Sequence, residues 1–134
     1  MSCFLNNLVI RVFTAEETAA RCSNVQLYEL AQDLKYQSDV LGCVVTVPEG
    51  YITDFASIPR IVWNILDPED PIILYPSVVH DYLYSNGGKI PEGTFSRLQA
   101  DKLIREGMDL SGSSKWKRFV VFNSVRAFGT KHWN

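Results

Sequence analysis

The chain has 134 residues, 46% of them hydrophobic and 21% charged. That is the size and balance of one folded domain, able to bury a core without cross-links, and it excludes a disordered chain. The three cysteines, Cys3, Cys22 and Cys43, are far apart and form no C-x-x-C pair, which argues against a zinc ribbon or a disulfide framework and for reduced thiols.

The net charge is −2, unevenly spread: acids outnumber Lys and Arg by 15 to 8 before residue 111, and the five basic residues after it (Lys115, Lys117, Arg118, Arg126, Lys131) have no acid among them. The opening MSCFLNNLVIRVF lacks a basic leader region, and no apolar run approaches the roughly 20 residues of a membrane span. The expectation is a chain made in the cytoplasm without a signal peptide or transmembrane segment.

The first 53 residues read as strands. LVIRVF (8–13) is a short apolar run. TAEETAARC (14–22) is a polar interruption, either a helical turn or a hairpin loop. VQLYELAQDLKYQ (25–37) alternates, with a weaker helical reading beside it. GCVVTVPEGYIT (42–53) is rich in β-branched residues and meets a turn at Pro48 and Gly50. Three to five short antiparallel strands in a meander are expected.

From residue 54 the texture turns helical. Thr53, Asp54 and Ser57 are cap-type residues, and Ile58, Ile61, Val62 and Ile65 recur at helical spacing before DPEDP (67–71) breaks the run. IILYPSVVHDYLYSN forms a second helix, with Pro76 near its first turn and NGG (86–88) at its end. Phe95 to Met108 is a third, and KWKRFVVFNSVRAFG (115–129) a fourth. The fold class is α+β in one domain, 1–134: a β-rich part to about residue 53, then three to four packed helices over 54–129.

Within the second helix a histidine and an aspartate, His80 and Asp81, interrupt an apolar run. Residues four apart share a helix face, so Tyr84 lies beside His80 while Asp81 points elsewhere. On the third helix Leu98, Asp101, Ile104 and Met108 form one stripe. A carboxylate on an apolar face must be paired, since burying it alone costs several kcal/mol. The economical pairing is Asp101 with a ring nitrogen of His80, and Tyr84 with the same carboxylate. The second nitrogen is then free to take a proton from a water. Asp54, added across the fold to the His80–Asp81 side, suggests an Asp/His/Asp site for a divalent cation. A structural His–Asp pair that locks helix register fits the same residues. His132, near the terminus, reads as inert, and Trp63, Trp116 and Trp133 as packing residues. The basic, aromatic C-terminal stretch suits a lipid surface or an acidic partner, or forms a plain solvated face; nucleic acid is not expected.

VPEGYITDFASIPR, VVHDYLYSN and QADKLIREGM, in that order, resemble the family called domain of unknown function 1353, found in tailed-phage genomes and prophages. The resemblance implies a phage accessory or virion protein, associated with tail, baseplate or neck and contacting other phage structural proteins. H-D-x-x-Y is also similar to the active-site helix of phospholipase A2. That likeness implies a phospholipase A2-like helix pair, with His80 as general base for a water, Asp81 as calcium ligand, and Tyr84 and Asp101 as orienting groups. The Gly-rich calcium loop of those enzymes has no counterpart here, and Leu83 stands where they carry a disulfide cysteine. The function expected is hydrolysis of an ester or another cell-envelope bond. The alternatives are a purely structural virion protein or a host-directed interaction protein.

Overall fold

The computed structural model describes residues 1–55, 57–59, 62 and 71–134. The order is β1 (Cys3–Phe4), β2 (Ile10–Val12), α1 (Ala15–Ala20), β3 (Tyr28–Leu30), β4 (Leu34–Ser38), β5 (Cys43–Val47) and β6 (Ile52–Thr53). Then follow α2 (Pro71–Ser85), β7 (Lys89–Ile90), β8 (Gly93–Thr94), α3 (Arg97–Leu110), α4 (Lys115–Phe128) and a 3-10 turn, Thr130–His132.

The architecture is α+β, as expected, but the β-rich part is not one meander. Its six strands form two three-stranded antiparallel sheets, ordered β1-β4-β5 and β2-β3-β6, and a separate β7-β8 hairpin follows α2. The longest pairing sets Leu34 against Val47 and Tyr36 against Val45. Alternation decides which side is buried: Leu34, Tyr36, Val45 and Val47 are in the core, while Lys35 between the first two is exposed. β1 and β6 have two residues each, too short for an alternating pattern to announce them.

The polar interruption at 14–22 is helical. Thr14 caps α1 through a capping box with Glu17, which satisfies two backbone donors at the helix start. The helix expected from residue 54 falls largely outside the described residues, as do Ile61, Trp63, Ile65 and most of the DPEDP break. Ile58 and Val62 are described, and both are buried.

Two further expectations are corrected. Pro76 is the sixth residue of α2, not part of its first turn. It is buried, and Gly107 of α3 packs on it so closely that a Cβ there would stand 2.8 Å from the proline Cγ. The glycine lets the two helices approach. Leu98 is 41% exposed and does not belong to the buried stripe. The face α3 turns inward is Ala100, Asp101, Leu103, Ile104, Gly107 and Met108.

Two apolar clusters result. One joins Leu34, Tyr36, Val45 and Val47 of the sheet to Val78, Val79 and Leu83 of α2 and Leu103 of α3. The other joins Ile58, Val62 and Ile73 to Ile104 and Met108 of α3 and Val121 and Val125 of α4. Each side chain of this kind contributes about 1.5–3 kcal/mol when fully buried. α2 and α3 pack directly on each other, which presses their polar residues, His80 and Asp101, into the same interior.

Candidate functional site

His80 and Asp101 have no exposed surface, and their contact is direct: His80 Nε2 lies 2.8 Å from Asp101 Oδ1. Tyr84, one turn beyond His80, donates its hydroxyl to the same oxygen at 2.6 Å. The Tyr84 ring lies beside the imidazole with centroids 4.3 Å apart. The second carboxylate oxygen takes Arg126 Nη1 of α4 at 2.8 Å, with Arg97 Nη1 at 3.5 Å. Burial alone would raise the Asp101 carboxyl, but bonds from His80, Tyr84 and Arg126 outweigh it and hold the group below the ordinary Asp value. Asp101 is thus a charged acceptor. The imidazole proton belongs on Nε2, and Nδ1 is left as an acceptor. Burial, then the Asp101 charge, pushes the Tyr84 hydroxyl well above its usual range, so Tyr84 stays a donor.

The second nitrogen of His80 does not face open solvent. Ser57 Oγ stands 3.2 Å from Nδ1. Ser57 is itself buried but borders a cavity of about 270 Å3, shared with Leu27, Ile52, Thr53, Asp54, Asp81, Tyr84, Ser85, His132 and Asn134. The order from the cavity inward is therefore hydroxyl, imidazole, carboxylate. Ser57 reads from sequence as a helix cap, and its link to His80 spans 23 residues that no spacing rule crosses.

Asp81 faces away from His80, as helical geometry requires. It is buried, and its Oδ2 accepts from Tyr51 at 2.8 Å and, at very short range, from Thr53 Oγ1. Ser85 Oγ lies 2.8 Å from the Tyr51 hydroxyl and donates to the Asp81 carbonyl. Thr53 Oγ1 in turn accepts from the Phe55 backbone N–H at 3.0 Å. Phe55 has φ +59°, a left-handed conformation that a bulky residue adopts only when its surroundings impose it. Asp81 therefore anchors the turn that presents Ser57.

Asp54 is exposed and borders the same cavity as Asp81. The fold thus brings the two expected cation ligands to one place. His80 cannot join them, because both ring nitrogens are engaged, and no group of three or more His, Cys, Asp or Glu suited to a metal occurs among the described residues. His132, expected to be inert, also lines this cavity. Trp133 packs edge-on to Tyr84 at 5.1 Å, as a packing residue should. Trp116 does not, being 54% exposed. Trp63 lies outside the described residues.

Fold and site together define a small α+β protein whose helix pair encloses a hydroxyl–imidazole–carboxylate chain ending at a surface cavity. The chain belongs to the family described as Protein of unknown function (DUF1353), whose model matches residues 28–125. That span carries Ser57, His80, Asp81, Tyr84 and Asp101; Arg126, His132 and Asn134 lie beyond it. The chain is also similar to the uncharacterized protein y4jT of Sinorhizobium fredii, with 30% identity over 104 residues, or 77% of this chain. It spans 29% of that relative's length. No solved structure matches, and among the described residues no helix is long and apolar enough to cross a membrane.

Proposed function

We propose that this domain hydrolyses an ester or related acyl bond, with Ser57 as nucleophile, His80 as general base and Asp101 as the group that orients His80. The observation that carries the reading is Ser57 Oγ, set between the cavity and His80 Nδ1 with Asp101 on the far nitrogen. A nucleophile beside a base that is itself held by a third group is the arrangement covalent acyl transfer needs. Ser57 passes its proton to Nδ1 as Oγ attacks the carbonyl carbon. The imidazolium, stabilised by Asp101, returns that proton to the leaving oxygen. A water, deprotonated by His80 in the same way, then releases the acyl group and regenerates Ser57. Tyr84 and Arg126 keep Asp101 ionised and in place.

Asp81 and Asp54 offer hard oxygen ligands of the kind calcium prefers. As a cation site the fit is partial, since one Asp81 oxygen already serves two hydroxyls. Resemblance of the three sequence motifs to phage and prophage proteins supports reading the chain as an accessory or virion component that acts on the host envelope.

A second reading has its own support: Asp101 is fully buried and takes three hydrogen-bond donors and a further ion pair from Arg97, as a purely structural pair in a virion protein would. Hydrolysis of p-nitrophenyl esters of graded chain length, together with fluorophosphonate labelling, separates the two. The proposal expects labelling at Ser57 and a fall of about a thousandfold or more in both Ser57→Ala and His80→Ala. Activity that survives Ser57→Ala, is lost in His80→Ala and needs calcium would replace the serine by a water, as in the phospholipase A2-like scheme. No hydrolysis and no labelling would leave the structural reading. Absence of the chain from purified particles would remove the virion role and favour a host-directed protein.

A further inference from the structure

We infer that the outer face of α4 is a docking surface for membranes rich in anionic phospholipid. Residues 116, 119, 120, 123 and 127 share one side of the helix at 100° per residue. The opposite side buries Val121 and Val125 against the core. The outer side carries Trp116 at 54% exposure and Phe119 at 68%. Two large aromatic rings one turn apart in solvent are a concentrated apolar surface, of the kind that marks an interaction site.

The charges around them point to the occupant. Of the five basic residues beyond position 110, two are turned inward. Arg118 pairs with Asp109 at 3.0 Å, and Arg126 with Asp101 at 2.8 Å. Lys115, Lys117 and Lys131 form no ion pair among the described residues. Lys115 and Lys117 immediately flank Trp116, and no carboxylate side chain occurs from residue 110 onward. Trp and Phe set between lysines on one side of a helix match a lipid interface. The rings enter the acyl boundary while the ammonium groups stay at headgroup phosphates. The rest of the chain carries an excess of acids, 15 against 8 Lys and Arg, which favours approach of such a surface by this face. The surface is independent of whether Ser57 is catalytic.

The test is co-sedimentation of the full chain with vesicles of phosphatidylcholine alone and of equimolar phosphatidylcholine and phosphatidylglycerol. Binding to the anionic vesicles only, weakened by salt, is expected. Trp116→Ala/Phe119→Ala should abolish it, and Lys115→Gln/Lys117→Gln should lower affinity about tenfold or more, with circular dichroism unchanged in both. Equal binding to both vesicles, no binding, or binding untouched by either double variant overturns the inference. So does a dimer in sedimentation velocity that the aromatic variant converts to monomer without any vesicle binding, because the face then covers a second copy.

Discussion

α3 carries two carboxylates that point into the molecule, and their surroundings differ in kind. Glu106 accepts from Tyr36 at 2.7 Å, Ser38 at 2.8 Å and the Val40 backbone N–H at 3.0 Å. Two of these donors are hydroxyls and one is backbone; Ser38 Oγ in turn accepts the Leu41 backbone N–H at 3.1 Å, and none of the three is an imidazole. The Tyr36 hydroxyl is pushed far up by burial and then by Glu106, so it stays a donor. That network ties a helix to a sheet; Glu106 is half-buried and borders a cavity of its own, but among the described residues no proton-accepting side chain links it to a nucleophile there. Asp101 also has a full set of partners, but one is an imidazole whose other nitrogen meets Ser57 at the cavity. Saturation alone therefore does not mark a carboxylate as structural. What separates the two is whether a partner can carry a proton onward to solvent-accessible chemistry.

Breaking each network should expose that difference. Asp101→Ala leaves Arg126, Arg97, Tyr84 and His80 facing a hole, and should destabilise the fold by about 3–5 kcal/mol, read from urea unfolding. Asp101→Asn keeps the shape but no longer accepts as an anion, so the imidazole loses its fixed tautomer. Ester hydrolysis should fall about a thousandfold or more, while the protein stays folded. Glu106→Gln is the matched control. It should cost about 1–3 kcal/mol of stability and leave hydrolysis per folded molecule unchanged. Equal loss of activity in both variants would remove the distinction drawn here.

The acid limb of stability sharpens the same contrast. The folded Asp101 carboxyl lies below its reference value of 3.8. Its contribution is therefore complete above that value and is lost as pH falls through the folded one. The stability gap between the parent chain and Asp101→Asn should be widest near neutrality and should narrow as pH drops below about 4. Unfolding curves at stepped pH check this, and a gap independent of pH would contradict it.

How much of this was legible beforehand follows from the range of each signal. The α+β order rests on local texture, strand-like before residue 54 and helical after it; the pairing of the strands into two sheets did not follow from it. The His80–Asp101 contact could be inferred because an acid on an apolar helical face must find a partner, and α2 supplies one. Leu98 misled because a spacing of three carries it about 60° past Asp101, to the side away from Ala100, Leu103, Ile104 and Gly107. Trp116 misled because α4 buries valines and leaves its aromatics outside. Ser57 reads from sequence as a cap, and its contact with His80 depends on the path of the chain from residue 57 to residue 80. Arg126 and His132 reach the site from the C-terminal segment, where a one-sided charge run gives no hint of which members turn inward.

A smaller effect is expected where α2 and α3 touch without polar groups. In Gly107→Ala the new methyl would meet the Pro76 ring at 2.8 Å from Cγ and 2.9 Å from Cβ. A proline ring cannot swing aside, so the helices must part, at about 1–3 kcal/mol. Ala favours a helix over Gly by about 1 kcal/mol, which leaves a net loss of about 0–2 kcal/mol. Because the strain falls six residues from Asp101, hydrolysis should drop only if the His80–Asp101 distance depends on how tightly the helices press. A loss of stability without loss of activity would show that the pair holds itself.

The smallest change removes one oxygen from the Asp81 side. Tyr51→Phe deletes the hydroxyl shared by Asp81 and Ser85 but leaves Thr53 on the carboxylate. One hydrogen bond to a charged group should be worth about 1.5 kcal/mol or somewhat more, less whatever water recovers through the cavity that Asp81 borders. Asp81 supports the turn at Thr53–Phe55, and that turn presents Ser57. The variant should therefore slow hydrolysis several-fold while leaving the acid limb set by Asp101 unmoved. A shift of that limb would mean that the two aspartates, on opposite sides of His80, act as one network, and the division between supporting Asp81 and orienting Asp101 would have to be given up.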